Sequence, residues 1–548
     1  MSLEETHGRP KLPQPPRGAD DATRRPGGAL KSRYYANLYK DSVSLMTVSA
    51  QVVAIPGIET ASVVMASATN IENLASAGLG KHEVRPNDLI VAVSGSDDAC
   101  VEALAKADEL LKVSAASGGD EGGAAAQPIT SLQMAVSKDP AHNFALVSVP
   151  GDYAAAEAMK ALRLGMDVMI FSDNVPQESE LALKRYAREH DLMVMGPDCG
   201  TAIVNGIPLG FANVVRRGPI GVVGASGTGT QEVTVRIHQL GSGVSQALGT
   251  GGHDLAAFIG GISMLHGLKA LDEDPDTKVI LLVSKPPSPD VAAAVLAAAQ
   301  ASAKPVVAIF LGADPDSITR NGVHGAAYLS QAADMAVALA KGEKPQRKPI
   351  ALTNEVQQKI AEVSRAMAPS QRYVRGIFSG GTFCFEAQLI HAAAGIASFS
   401  NAPTAGNRKL EKVGKSLENT IIDMGDDQFT QGRPHPMIDP SLRDARIRDE
   451  VADPSTAVVL FDVVLGYGSA ADPTAGLVGV IGSAKAKAQG EGRRVAFIGY
   501  VCGTDQDPQN RAAIVATLKS AGVFVASSNA EAAVWSAAII SDRKAATQ

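Results

Sequence analysis

Cysteine is scarce. Four residues, Cys100, Cys199, Cys384 and Cys502, are scattered over 548 positions without CxxC spacing. That pattern excludes a zinc or disulfide framework and fits a reducing cytoplasm, where the protein is expected to reside. Aromatic residues make up only 4%, with one Trp, which argues against a module that binds through an aromatic surface. No apolar run reaches the roughly 18 residues that cross a bilayer, so no membrane partner is expected. The net charge is −7 and no basic stripe stands out, which removes the electrostatic basis for nucleic-acid binding. The opening MSLEETHGRPKLPQPPRGADDATRRPGGALKSR lacks the apolar core of a signal peptide and reads as a disordered extension.

What is abundant is glycine, 53 residues, within a composition that is 45% hydrophobic and 20% charged. Such a chain suits α/β folds with many tight strand–helix turns, and its length implies about three to five domains. Residues 41–112 read as a small unit with helices over DSVSLMTVSAQVVAI and SDDACVEALAKADELLKV and strands over ETASVVMA and DLIVAVSG. AASGGDEGGAAAQP follows as a flexible linker. Three series of apolar strands and amphipathic helices then succeed one another, the pattern of parallel sheets covered on both faces. The expected fold class is α/β and multidomain. An extension (1–33) precedes a small N-terminal α/β domain (34–137) and a Rossmann-like domain (138–213). Two related flavodoxin-like domains (214–345 and 373–548) follow, joined by a linker (346–372).

The second and third series share a construction. GVVGASGTGTQEV and GIFSGGTFCFEA each read as a buried strand, a Gly/Ser/Thr turn and a helix start, with an acid four residues beyond the Gly-Thr pair, Glu232 and Glu386. The first turn of a helix has unpaired N–H groups and about half a positive charge, and glycine lets an anion approach. Ser226, Gly227 and Thr228, with Ser379, Gly380, Gly381 and Thr382, are therefore expected to bind phosphate. Glu232 and Glu386 are expected to orient groups there or take a proton.

The strings VMGPDCGTAIVNG, GPIGVVGASGTGTQEV, GTGGHDLAAFIGG and DEDPDTKVILLVSKPP resemble the α subunit of succinyl-CoA synthetase, and the third series resembles the C-terminal domain of its β subunit. Through KDSVSL, FSDNVP, MGPDCGT, GASGTGTQE, SKPP, IDMGDD, GRPHPMIDP and GTDQDPQ, from residue 39 to about 540, the chain is identified as a member of the FdrA family. The ligase resemblance implies that the Rossmann-like domain is of the CoA-binding type. It also implies that the two turns form one phosphate cradle and that Glu232 takes the place of the acid contacting an active histidine. The FdrA resemblance implies a subunit of an oxamate carbamoyltransferase in purine and allantoin catabolism, working beside two other proteins as a hetero-oligomer. That activity interconverts oxalurate plus phosphate with oxamate plus carbamoyl phosphate.

Three departures from the ligases bear on function. Residues 342–372 are too few for a nucleotide-grasp domain. NGVHGAAYLSQAADMAVAL runs from His324 into a helix without the long loop of a phosphohistidine. VPGDY before the Rossmann-like helix lacks a Gly-rich phosphate turn. Phosphate or carbamoyl phosphate is then expected as substrate. No cofactor is required, and CoA stays open.

Further candidates are Arg433 and His435 in GRPHPMIDP, as a carboxylate clamp and an acid or base. Asp198 and Cys199 follow a strand end, where the cysteine is either reactive or a buried filler. Lys285 points into the cleft or into solvent. Asp426 and Asp427 read as a turn cap rather than a metal pair, and no metal is expected. His253, Asp505 and Asp507 have no assigned role. The leading expectation is an acyl-transferring subunit at the cradle, with Glu232, Glu386, Arg433 and His435 catalytic. The alternatives are an acyl-CoA synthetase subunit that uses His324 and an ATP-grasp partner, and a non-catalytic scaffold that senses a metabolite.

Overall fold

The computed structural model describes residues 29–85, 87–116, 129–430 and 434–545. The chain forms two compact units, one from residues 1–125 with 431–434, the other from 126–430 with 435–548.

In the first unit a three-stranded antiparallel sheet runs in the order Ala29–Tyr35, Leu89–Gly95, Ile58–Met65. The central strand is buried on both sides. Leu89, Val91 and Val93 face a core with Val52 and Leu104, while Ile90 and Ala92 face Leu74 and Leu79. Burying each such aliphatic side chain stabilises by about 1.5–3 kcal/mol. Asp41 and Ser67 cap the helices Ser42–Val53 and Ala68–Ser76 by accepting from backbone N–H groups. Residues 29–33, expected within the extension, instead form most of the first strand, in register from Ala29↔Gly95 to Tyr35↔Leu89. Residues 1–28 of that extension lie outside the described residues.

The second unit begins with helix Leu132–Lys138, which the sequence reading gave to the N-terminal domain. Leu132 and Val136 pack instead on the core of a three-stranded parallel sheet, Phe144–Val147, Asp167–Ile170 and Val194–Met195. The hairpin Thr201–Val204 and Ile207–Gly210 then joins the next sheet. Its turn, Asn205 (φ 51°) and Gly206 (φ 81°), has the Asn-Gly chemistry of tight hairpins.

Two seven-stranded sheets follow. The first has Arg217–Gly224 between Val244–Gly249 and Val279–Ser284. The second has Tyr373–Phe378 between Thr420–Asp423 and Thr456–Val464. In each, the strand leading into the Gly/Ser/Thr turn lies centrally, so each turn emerges at the carboxyl end of its sheet. Val233, Phe383, Leu329 and Ala530 share one core, so the two domains are fused rather than tethered. The expected linker 346–372 contains helix Asn354–Arg365, whose Ile360 and Val363, with Met367 just beyond it, join that core. A buried ion cluster ties the helix Gln177–Glu189 to the segment after strand Val244–Gly249: Lys184 Nζ donates to Glu180 (2.7 Å), Asp254 (2.8 Å) and the Thr250 carbonyl.

Candidate functional site

The two turns meet. Ser226 caps helix Gly227–Gln239 by accepting from the Gly229 N–H, and its Oγ lies 2.6 Å from Thr382 Oγ1 at the start of helix Gly381–Ala393. A Cβ on Gly380 would stand 2.9 Å from Thr228 Cγ2, and one on Gly381 would stand 2.4 Å from Asp423 Oδ2. Glycine is required there by the close approach of Thr228 and Asp423. The N–H groups of Gly227, Thr228, Gly381 and Thr382 have no intrahelical acceptor, as at any helix start.

The expectation fails at Ser379 and Gly380. Their N–H groups donate to the two oxygens of Asp462, each at 2.7 Å. This buried carboxylate fills the half of the turn that an external anion would have used. Nothing in FDVV singled Asp462 out, since the residue sits alone in an apolar strand.

Glu232 and Glu386 are both buried but do not face an open cradle. Glu386 accepts from the Leu329 N–H (2.9 Å), at the start of the first domain's last helix, and from Asn529 Nδ2 (2.8 Å). Glu232 accepts from the Asn529 N–H (3.4 Å), at the start of the second domain's last helix. Each acid thus serves the helix start of the other domain, which is the cross-domain analogue of a cap. Burial, then the charge of Glu386, hold the Glu232 carboxyl well above the usual range. Burial raises Glu386 to about 6. The sequence reading correctly matched the two acids to each other, but it assigned them to an anion that their geometry does not address.

Beside the turns, residues far apart in sequence come together. Lys285 is exposed, with Nζ 5.8 Å from the centre of the Phe385 ring. Its charge pulls down the carboxyls of Asp198 and Asp423, which nevertheless stay high. Desolvation, then Asp173 and Asp427, push Asp198 up to about 7, although its side chain keeps contact with water. Burial pushes Asp423 up to about 6. His435 stacks at a tilt on Phe211, ring centres 6.0 Å apart, and its Nδ1 accepts from the Met437 N–H (3.2 Å). Burial lowers its pKa to about 4. It is therefore neutral near pH 7 with its proton on Nε2, a hydrogen-bond donor. Asp423, Phe211 and Asp173 were missed from sequence; Asp423 had a signal, as the first acid of IDMGDD.

The remaining candidates separate cleanly. Cys199 is a filler: burial pushes its thiol up to about 12, and Gly249 packs against its sulfur. Asp426 accepts from the Gln428 N–H, the expected cap. Asp507 holds Asn213, Val214 and Thr504, a structural clamp. Asp505 accepts from the Ala512 N–H, and exposed His253 lies 3.6 Å from Glu180. His324 pairs with Val307 in an edge strand three strands from Arg217–Gly224, about 14 Å across the sheet. Arg433 lies outside the described residues.

Fused parallel-sheet domains with mated Gly/Ser/Thr turns define a CoA-ligase-like architecture. Models described as "CoA-ligase" and "CoA binding domain" match residues 377–539 and 215–312, and one described as "AllF, heavy metal-associated domain" matches 29–128. The CoA-binding match falls on the first seven-stranded domain, not on the smaller sheet at 138–213 to which the sequence reading attached it. YahF of Escherichia coli (strain K12) is 43% identical over 497 residues, 90% of this chain and 95% of that protein. The chain belongs to the FdrA family, related to succinyl-CoA synthetases. It is 31% identical over 209 residues to the succinate–CoA ligase subunit alpha-2 of Trichomonas vaginalis, covering 36% of this chain and 66% of that one. A dinucleotide-forming acetyl-coenzyme A synthetase of Ca. Korarchaeum cryptofilum, solved with phosphate and ADP, aligns at 14% identity and TM-score 0.30 over 78% of this chain and 88% of its own. That score supports no argument about activity. The residues at 29–128 do not fit a heavy metal. Cys100 is the lone cysteine there, burial raises its pKa, and the described residues hold no cluster of three His, Cys, Asp or Glu able to hold an ion.

Proposed function

We propose that this chain is an acyl-transferring subunit whose substrate is an acyl phosphate seated between the two turns, with carbamoyl as the acyl group. The reading is supported above all by the meeting of the two turns, where the hydroxyls of Ser226 and Thr382, from separate helix starts, hydrogen-bond each other at 2.6 Å and bring both sets of helix N–H groups to one place. Lys285 supplies positive charge nearby. In the phosphorolytic direction a phosphate oxygen bonds to the carbamoyl carbon, the carbon–nitrogen bond to an oxamate-like leaving group breaks, and that nitrogen takes a proton. Asp198, exposed to solvent with its carboxyl held above the usual range, is assigned as the acid that supplies this proton. The tetrahedral carbon needs oxyanion stabilisation and no nucleotide. The carboxylate of the leaving group is assigned to Arg433 on sequence grounds alone.

A second reading, a CoA-ligase subunit completed by a nucleotide-binding partner, is favoured by the CoA-ligase and CoA-binding matches. Thermal denaturation of the whole chain with phosphate, carbamoyl phosphate or CoA separates the two. A ligand at about 100 times its Kd stabilises by about 2.7 kcal/mol. Stabilisation by carbamoyl phosphate that Thr382→Val abolishes is the expected result. Stabilisation by CoA alone would replace the first reading with the second.

A further inference from the structure

A cavity of about 1030 Å³ opens in the second unit. Its walls include Val495, Ala496 and Phe524, which stand at the amino ends of the strands Ala496–Cys502 and Phe524–Ala526. The anion turns emerge at the carboxyl ends, where ligands of parallel sheets bind. The cavity is thus a different place.

Its lining is divided. Ile360, Val363, Ile498, Phe524, Ile539 and Trp535 give apolar walls. The charged lining residues are five basic groups against one acid: Lys359, Lys485, Arg493, Arg494 and Lys519 against Glu355. Glu355 is paired with Lys359 (2.5 Å), and Arg493 with Glu491. Arg494 and Lys519 are exposed and have no ion-pair partner among the described residues. Lys485 donates to the Ala521 and Gly522 carbonyls, and burial and then Arg494 hold its pKa down. Exposed, unpaired cations at the rim of an apolar recess give it a positive potential that attracts an anion. The indole N–H of Trp535, the chain's only tryptophan, is buried without an acceptor.

We infer that this cavity binds a small organic anion with an apolar or aromatic body, the body against Trp535, Ile360 and Phe524 and the negative group on Arg494 and Lys519. The volume lies at the upper end of small-molecule pockets. Trp535 and Ile539 lie on the helix Asn529–Ala545, whose first residue bonds both Glu232 and Glu386. An occupant would therefore touch the helix that joins the two domains.

The test titrates the full chain with 8-anilinonaphthalene-1-sulfonate, exciting the single tryptophan and reading energy transfer to the probe. The expected result is saturable transfer, weakened at least tenfold by Arg494→Glu/Lys519→Glu at an unchanged melting temperature. The neutral N-phenyl-1-naphthylamine should bind at least tenfold more weakly than the sulfonate. Trp535→Phe should lose the transfer while calorimetry still records the bound probe. Absent transfer, binding indifferent to charge reversal, or equal affinity for the neutral analogue would each overturn the assignment.

Discussion

Glu386→Gln tests whether the buried acids are ionised structural groups. Glu386 has a folded-state pKa of about 6 against an ordinary value of 4.5, raised by burial. A carboxyl with a raised folded pKa contributes stability that is fully present below its unfolded pKa and is lost as pH rises through its folded pKa. Each pKa unit corresponds to about 1.4 kcal/mol, so the full effect is about 2 kcal/mol. About 1 kcal/mol of it is lost between about pH 5 and pH 7.5. Glutamine does not titrate. It keeps one oxygen for the Leu329 N–H but turns an amide toward Asn529 Nδ2, a roughly pH-independent loss. The stability gap between wild type and variant should therefore be larger at pH 5 than at pH 7.5, by about 1 kcal/mol. Urea unfolding followed by Trp535 emission reads it directly, because Trp535 lies on the helix that Asn529 opens. An equal gap at both pH values would show that Glu386 does not titrate in this window and would refute the reasoning.

Other substitutions follow from the same geometry. Lys184→Met leaves Glu180 and Asp254 buried without their cation and should destabilise by about 3–5 kcal/mol, measured by denaturant unfolding. Ser226→Ala removes both the cap on the Gly229 N–H and the contact with Thr382. It should cost about 1–2 kcal/mol while also weakening phosphate binding, read by melting with and without phosphate. His324→Ala should leave turnover unchanged, because the residue lies on an edge strand away from the turns. Labelling with a thiol reagent under native conditions should spare Cys199, which is buried and held protonated.

Much of the fold was legible because its signals are local. Apolar strands such as VILLVS and VVAIF, spaced by amphipathic helices, announce parallel sheets, and the duplicated Gly-Thr turns announce a repeated domain. The misplacements have equally local causes. KSRYY looks polar, yet it pairs with a central strand whose burial does the stabilising. NEVQQKIAEVSR looks like linker until its Ile360 and Val363 meet the second domain's core. The site was half legible. Turn chemistry marks Ser226 and Thr382 at helix starts and Gly381 at a close approach, because capping and close approach are written in residue type. Asp462 and Asn529 act through partners 82 to 297 residues away, and no spacing in one sequence carries that information.

The cross-domain bonds constrain any catalytic account. Were Glu232 and Glu386 free to orient a substrate, removing either would affect turnover before stability. Instead, each accepts from the first N–H groups of a helix in the other domain, and each lies one helical turn beyond the turn whose hydroxyl meets its counterpart. The acids therefore brace the two domains behind the turns where Ser226 and Thr382 meet. A variant that loosens the pair should weaken phosphate binding in proportion to its loss of stability. A loss of binding at full stability would return the acids to the catalytic role that the sequence first gave them.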